Sequence, residues 1–258
     1  MKSTSTSQLR ASRRAVSRFS TVIYEKVGAI AIVTLNRPEK FNAYNVAMRD
    51  DLHQILSALY DDPDLGAMVL MGAGSAFSTG GDVSEFGSAP SPTIARWVRF
   101  RRDVWGLLHR LPILTIAAVH GFTVGGGLEM ALLCDLAIAA EDTRICLPES
   151  GLGMIPGVAG TQTAALRGGL AWGLDLSITG RWINAREAFD IGLITELVPR
   201  ANLRARAIAV ARRLSRLPRE SVAVAKLAVW DGLDFTLREG LALERRLGGR
   251  LAALAPIT

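Results

Sequence analysis

The chain of 258 residues is poor in cysteine and lysine, and it has no long hydrophobic run. Its two cysteines, Cys134 and Cys146, have no CxxC partner and no histidine-rich neighbourhood, which argues against a metal site and excludes a disulfide framework. Buried, reduced thiols in a cytosol-like compartment are the reading that remains. Apolar stretches such as 113–119 fall far short of the ~20 residues that cross a bilayer, so no membrane association is expected. Acidic residues are absent from positions 1–20, where Lys2, Arg10, Arg13, Arg14 and Arg18 supply five of the six net positive charges. The remaining 238 residues carry only +1. A near-neutral body behind a basic tail is not the footprint of a duplex-binding domain, and no nucleic-acid partner is expected. The Ser-, Thr- and Arg-rich segment 1–20 reads as a disordered tail of a bacterial cytoplasmic protein. A mitochondrial transit peptide, and hence the matrix, is the alternative.

What the chain does have is 49% hydrophobic residues and 25 glycines, enough for a sizeable core. The β-branched runs 22–27 and 29–35 predict a hairpin around Gly28. Asn45 is placed to cap a helix running to residue 60. A buried strand over 67–71, a helix over 93–110, strands over 113–119 and 135–139, further helices near 161–167, 170–177 and 185–190, and a strand over 193–198 follow. From residue 201 nearly everything reads as helix. Strands alternating with helices, then helices alone, predict an α/β fold divided into a tail (1–20), an α/β core (21–200) and an α-helical C-terminal region (201–258).

Two glutamates stand in glycine-marked settings. Glu129 follows Gly125, Gly126 and Gly127, where an apolar strand runs into a helix and backbone N–H groups are left free at its start. Glu129 lies three residues after Gly126, on the same helical side. Glu149 follows Leu147-Pro148 and precedes Gly151 and Gly153. Free N–H groups that polarise an oxygen, beside two carboxylates that move protons, suit chemistry next to a carbonyl. His120 ends a buried strand and reads as a packed, hydrogen-bonded core histidine. Asp135 and Arg181 read as residues that hold strand and helix ends.

Five separated segments resemble the crotonase (enoyl-CoA hydratase/isomerase) superfamily: Leu35-Asn36-Arg37-Pro38 with Asn42-Ala43, the run 76–83 containing Gly80-Gly81-Asp82, the run 125–135, Leu147-Pro148-Glu149 with Ile155-Pro156-Gly157 and Gly160-Thr161-Gln162, and Thr179-Gly180-Arg181 with Ala185 and Glu187-Ala188. The resemblance runs from about residue 22 to 199. It implies a β-β-α superhelix with two packed sheets and a set of roles. The amides of Gly81 and Gly126 would form an oxyanion hole on an acyl-CoA thioester carbonyl. Glu129 and Glu149 would add water across the α,β double bond of a trans-2-enoyl-CoA. Lys40, Phe41 and Ala43, with Asp82 nearby, would border the CoA moiety. No metal or redox cofactor is implied, since CoA enters as part of the substrate, and the family's trimers and dimers of trimers imply a homotrimer or homohexamer. Apolar residues on several faces of the helices after 201 point the same way.

Tyr44 departs from the aliphatic residue common in the family, and the family's final Glu-Gly…Phe…Lys-Arg segment has no counterpart before Thr258. Double-bond isomerisation, or another crotonase reaction, is the alternative activity; isomerases generally need one of the two carboxylates. A non-catalytic crotonase-like binding protein is the alternative from a different class.

Overall fold

The computed structural model describes residues 14–254. Its frame is a seven-stranded sheet in the order β1 (Arg14–Arg18), β2 (Val22–Val27), β3 (Ile30–Leu35), β4 (Ala67–Gly72), β5 (Leu114–Val119), β7 (Leu136–Ala140) and β10 (Glu196–Val198). The first three strands pair antiparallel, and from β3 onward every pairing is parallel. Parallel strands are covered on both faces, so β4 is written as an unbroken apolar run, and β5 as one broken only by the buried Thr115, rather than as an alternation. On one face Ala31, Val33, Leu35, Met68 and Leu70 join Met48, Leu52, Ile55, Leu56 and Leu59 of helix α1 (Val46–Asp61). Helices α3 (Val104–Arg110) and α4 (Gly126–Leu133) complete that core. On the other face Ile30, Ile32, Val69 and Met71 meet Leu203, Ala207, Val210 and Ala211 of α8 (Leu203–Leu214). A smaller sheet of β6 (Phe122–Val124), β8 (Arg144–Cys146) and β9 (Ile183–Asn184) carries the turn into α4 and the start of the Glu149 segment. Helices α5 (Gly160–Gly168), α6 (Leu170–Thr179) and α7 (Ala185–Asp190) follow these, and α9 (Arg219–Gly232) and α10 (Leu237–Leu254) close the described chain. This is the expected crotonase α/β architecture of two sheets with helices.

Four local expectations change. The helix expected over 93–110 is two helices, α2 (Pro92–Phe100) and α3, because Asp103 accepts from the Gly106 amide at 2.8 Å and starts a new helix. The disordered tail expected over 1–20 does not hold for Arg14–Arg18, which pair residue by residue with β2. The outer edge of β2 offers a row of backbone donors and acceptors, and a short basic strand covers it. The rest of that expectation, residues 1–13, lies outside the described residues. The sequence pattern predicts none of the short strands of the small sheet. Finally α8, although it lies beyond residue 200, fills one face of the large sheet. Among the described residues no helix is long and apolar enough to cross a membrane.

Candidate active site

Helix α4 begins where β6 turns through Gly125, whose backbone takes φ 50° and ψ −125°. That conformation is natural to glycine and strained for any residue with a side chain. Its cost here would also be steric, because a Cβ on Gly125 would stand 2.5 Å from Glu149 Oε1. One residue on, a Cβ on Gly126 would stand 3.8 Å from Glu129 Oε2 and 3.8 Å from the Gly81 amide nitrogen. The two carboxylates therefore approach adjacent residues of one turn, and the Gly81 amide converges on the same space. Among the described residues neither the Gly81 nor the Gly126 amide donates to a protein acceptor. Gly126 opens a helix, where the macrodipole adds to the attraction for negative charge.

Glu129 is buried, with 1% of its surface exposed. Its Oε1 accepts from the amides of Val158 at 2.8 Å and Gly160 at 2.7 Å. Those amides are aimed by a turn in which Ala159 holds φ 110°, a region non-glycine residues rarely occupy. Strain of this kind persists where the surroundings impose it and concentrates at functional sites. A Cβ on Gly160 would fall 2.8 Å from Glu129 Oε1 and 2.7 Å from Pro156 Cβ, so glycine is required for the carboxylate to be held this closely.

Glu149 opens a 3₁₀ turn, Glu149–Leu152, that ends at Gly153 with φ 72°. Its Oε2 is buried and has no hydrogen-bond partner among the described residues. Burial pushes the Glu149 pKa above the usual carboxylate value, against the opposing pull of a backbone hydrogen bond. Two carboxylates thus receive different settings: one braced by paired amides, the other desolvated with an open oxygen.

The Gly80 and Gly81 loop is pressed onto the α4 turn. A Cβ on Gly80 would lie 3.0 Å from the Gly126 nitrogen, and its φ of +84° also favours glycine. Tyr44 donates its amide to the Gly80 carbonyl at 2.7 Å and accepts from the Asp82 amide at 2.8 Å, which leaves the Gly81 N–H directed away from that pair. Asp82 is not free for a ligand. It pairs with Arg37 at 2.9 Å and accepts from the Ser84 hydroxyl and amide, which together hold its carboxyl below the usual range, the Ser84 hydroxyl bond contributing most. Arg37 also donates to the Ala43 carbonyl at 2.6 Å. The fully buried Asn42 donates to the carbonyls of Ala73 and Ala76, and Ser78 Oγ donates to the Asn42 carbonyl.

Of the residues expected to border the CoA moiety, Ala43 is buried and Lys40 and Phe41 lie exposed on the rim, with Phe41 at φ 49°. The Phe41 carbonyl accepts from the Thr79 amide at 3.1 Å. Tyr44 packs its ring on Trp105 with centroids 4.9 Å apart. Positioning roles of Arg37, Asn42, Ser78 and the 157–160 turn escaped sequence reading. The first three carried a signal, Arg37 and Asn42 in the motif Leu35-Asn36-Arg37-Pro38 with Asn42-Ala43 and Ser78 just before Gly80; the amides of Val158 and Gly160 had only the glycine spacing. His120 is a packed histidine at 3.2 Å from the Gly74 carbonyl, Asp135 pairs with Lys226 at 2.8 Å, and Arg181 bridges Asp175 and Glu187. Among the described residues no group of three His, Cys, Asp or Glu side chains could hold a metal ion.

A fold of this kind, with two glycine loops converging on two carboxylates, is one that comparison with known proteins can place. The enoyl-CoA hydratase/isomerase family profile matches residues 25–255. The chain belongs to that family. It is 37% identical over 232 residues to the probable enoyl-CoA hydratase echA8 of Mycobacterium bovis, covering 89% of this chain and 88% of the relative. It is 33% identical to the mitochondrial enoyl-CoA hydratase of Pongo abelii, over 90% of this chain and 80% of that one. Among solved structures, an enoyl-CoA hydratase of Geobacillus kaustophilus superposes with a TM-score of 0.86 at 31% identity, over 93% and 91% of the two chains. A Thermobifida fusca relative, crystallised in complex with CoA, superposes at 0.83 with 29% identity, over 91% and 94%.

Proposed function

We propose that the chain is an enoyl-CoA hydratase, and that the two carboxylates on either side of the Gly125 and Gly126 turn carry its chemistry. Adding water to an enoyl thioester builds negative charge on the thioester oxygen. The amides of Gly81 and Gly126, which have no protein acceptor among the described residues, supply two donors for that charge, and loss of one such donor costs on the order of 10²–10³ in rate. Glu129, oriented by two amides, takes a proton from water as the water oxygen bonds to the β-carbon. Glu149, whose pKa burial raises, gives its proton to the α-carbon. The product then carries one added water, and a proton passes from Glu129 back to Glu149 through solvent. CoA enters as part of the substrate, and no metal or redox cofactor takes part. The presence of both carboxylates at the turn favours hydration over isomerisation, and a catalytic site over a non-catalytic binding protein. The reading is of a cytoplasmic enzyme.

The test is loss of the conjugated enoyl-thioester absorbance over a panel of enoyl-CoAs, with Glu129→Gln and Glu149→Gln compared with wild type. Each variant is expected to fold and bind CoA while losing ~10² or more in turnover. Wild-type hydration by Glu149→Gln would make isomerisation the better reading.

The same reading includes assembly. Beside Glu149 an apolar groove of about 260 Å³ is lined by Ile155, Pro156, Leu170, Leu174 and Ile178. Four of these side chains are exposed, Ile155 and Leu170 at 71% each. Contiguous apolar surface of this kind marks an interface, and a second copy of the chain is its occupant, in a trimer or hexamer. Light scattering that gave a monomer at micromolar concentration would overturn it.

A further inference from the structure

Gly81, one of the two amide donors, is bounded on three sides. Its backbone pairs with Tyr44 along one edge. Its nitrogen faces the Gly126 turn, 3.8 Å from where a Cβ on Gly126 would stand. On the third side a Cβ on Gly81 would meet the ring of Phe86, with Cζ at 3.1 Å and Cε1 at 3.2 Å. Chain neighbours aside, no other described atom lies within 4 Å of that point. Carbon atoms settle ~3.5–4.0 Å apart, so a side chain on residue 81 would push the ring away.

Phe86 belongs to neither apolar core, and 52% of its surface is exposed. Polar bonds in its own turn bring it there. Asp82 starts the 3₁₀ turn Val83–Glu85 by accepting from the Ser84 amide, and Phe86 donates its amide to the Val83 carbonyl at 3.2 Å. The Glu85 carboxylate accepts from the Val46 amide at 3.0 Å, which fastens the turn to the start of α1. An exposed phenylalanine by itself needs no explanation. One laid on a donor peptide has a physical consequence. An amide attracts a developing oxyanion strongly only where water neither competes for the N–H nor screens the charge. The ring takes the place of water on the side of Gly81 that the rest of the chain leaves open.

Resting on the enoyl-CoA hydratase reading, we propose that Phe86 is a positioning residue whose ring holds the Gly81 peptide in place and dry, strengthening that amide's hold on the thioester oxygen as charge builds there. Its effect falls on charge stabilisation and not on affinity for a neutral thioester. The test compares wild type, Phe86→Ala, Phe86→Leu, Gly81→Ala and the double variant of Gly81→Ala with Phe86→Ala. Two readouts are taken: kcat and KM for a 2-enoyl-CoA, and the dissociation constants of a 3-ketoacyl-CoA and of the saturated acyl-CoA of equal length. The enolate of the first puts charge on the thioester oxygen and shows its own absorbance when bound, so this readout needs no turnover. Phe86→Ala is expected to lose about tenfold in kcat and in 3-ketoacyl-CoA binding, a fraction of the ~10²–10³ that a whole donor carries. KM and binding of the saturated acyl-CoA are expected to stay within about twofold, since uniform binding is not what the ring supplies. Phe86→Leu, which keeps apolar bulk in the same place, is expected to fold as wild type and to keep most of both quantities. Gly81→Ala displaces the ring, so the double variant is expected to lose no more than the worse single one. An unchanged ratio of the two dissociation constants in Phe86→Ala, an equal loss for both ligands, or losses that multiply in the double variant overturns the proposal. If no enoyl-CoA is hydrated but the binding ratios follow the expected pattern, the hydratase reading falls and the Phe86 assignment stands.

Discussion

Replacing Gly126 with alanine should separate folding from chemistry. The added carbon would stand 3.6 Å from Gly80 Cα and 3.8 Å from both Glu129 Oε2 and the Gly81 nitrogen, all ordinary van der Waals distances. Gly126 is not among the positive-φ glycines, whereas its neighbour Gly125 is. Nothing in the backbone or the packing therefore opposes a methyl group. Alanine exceeds glycine by up to ~1 kcal/mol in a helix interior, and less at this first helical position. The melting temperature of Gly126→Ala should match wild type or rise slightly. Activity should respond in the opposite sense. The methyl would occupy the space on which the two amides and the Glu129 carboxylate converge, so the thioester oxygen could not reach either donor. With one such donor worth ~10²–10³, a loss of at least ~10² in kcat/KM is expected. Thermal melting and the enoyl-thioester absorbance assay on the same preparation give both quantities. Gly151→Ala is the control, since nothing lies within 4 Å of its added carbon, and it should change neither. A stable Gly126→Ala with wild-type kcat/KM would refute the oxyanion-hole assignment. A Gly126→Ala that fails to fold would refute the packing argument instead.

Two further outcomes follow from the same geometry. Gly160→Ala would put a carbon 2.8 Å from Glu129 Oε1 and 2.7 Å from Pro156 Cβ; overpacking of this kind costs ~1–3 kcal/mol, and a displaced carboxylate ~10² in rate. Urea denaturation and steady-state kinetics should show both losses, and wild-type values in either would count against the Glu129 brace. Glu149 sets a pH dependence, because burial raises its pKa above the ordinary 4.5. The folded chain then holds a proton that the unfolded chain has released, so stability falls as pH rises from 4.5 through the raised pKa, and activity that needs protonated Glu149 falls with it. Glu149→Gln should flatten that part of the melting-temperature profile and melt higher than wild type at neutral pH. An unchanged profile would show that the carboxyl is ionised without penalty.

The parts of the molecule that sequence reveals are those in which a side chain carries the information. Strands β4 and β5 are legible because both faces of a parallel strand must be apolar, and α1 because Asn45 caps it, its side chain accepting from the Met48 amide at 2.9 Å. Glu129 and Glu149 are legible for the same reason, and the glycines before α4 for the converse one, three successive residues without a side chain. The break between α2 and α3 is harder to foresee, because no glycine or proline marks positions 101–103; only Asp103 signals it, through a cap that an aspartate inside a solvated helix would resemble. Strands β6, β8 and β9 are two or three residues long, too short for a period of two to emerge from noise. Their places come from pairing: Ser78 bridges Thr123 of β6 beside the Gly80 loop, β8 pairs with β6, and β9 with β8.

The brace on Glu129 is hidden for a deeper reason. It is made of two backbone amides, which every non-proline residue possesses, and its aim comes from an alanine held at φ 110°. No side chain announces such a turn. What betrays it is an exclusion, since Gly160 can carry no Cβ while the carboxylate stands where it does. The same logic runs through the site. Gly80 is small so that it can meet the Gly126 nitrogen, Gly125 so that Glu149 can approach, and Gly126 so that a substrate can. Three of these glycines make room for the protein itself, and one makes room for something the protein does not contain. That difference makes Gly126 the position at which a single methyl group should cost activity and leave stability untouched.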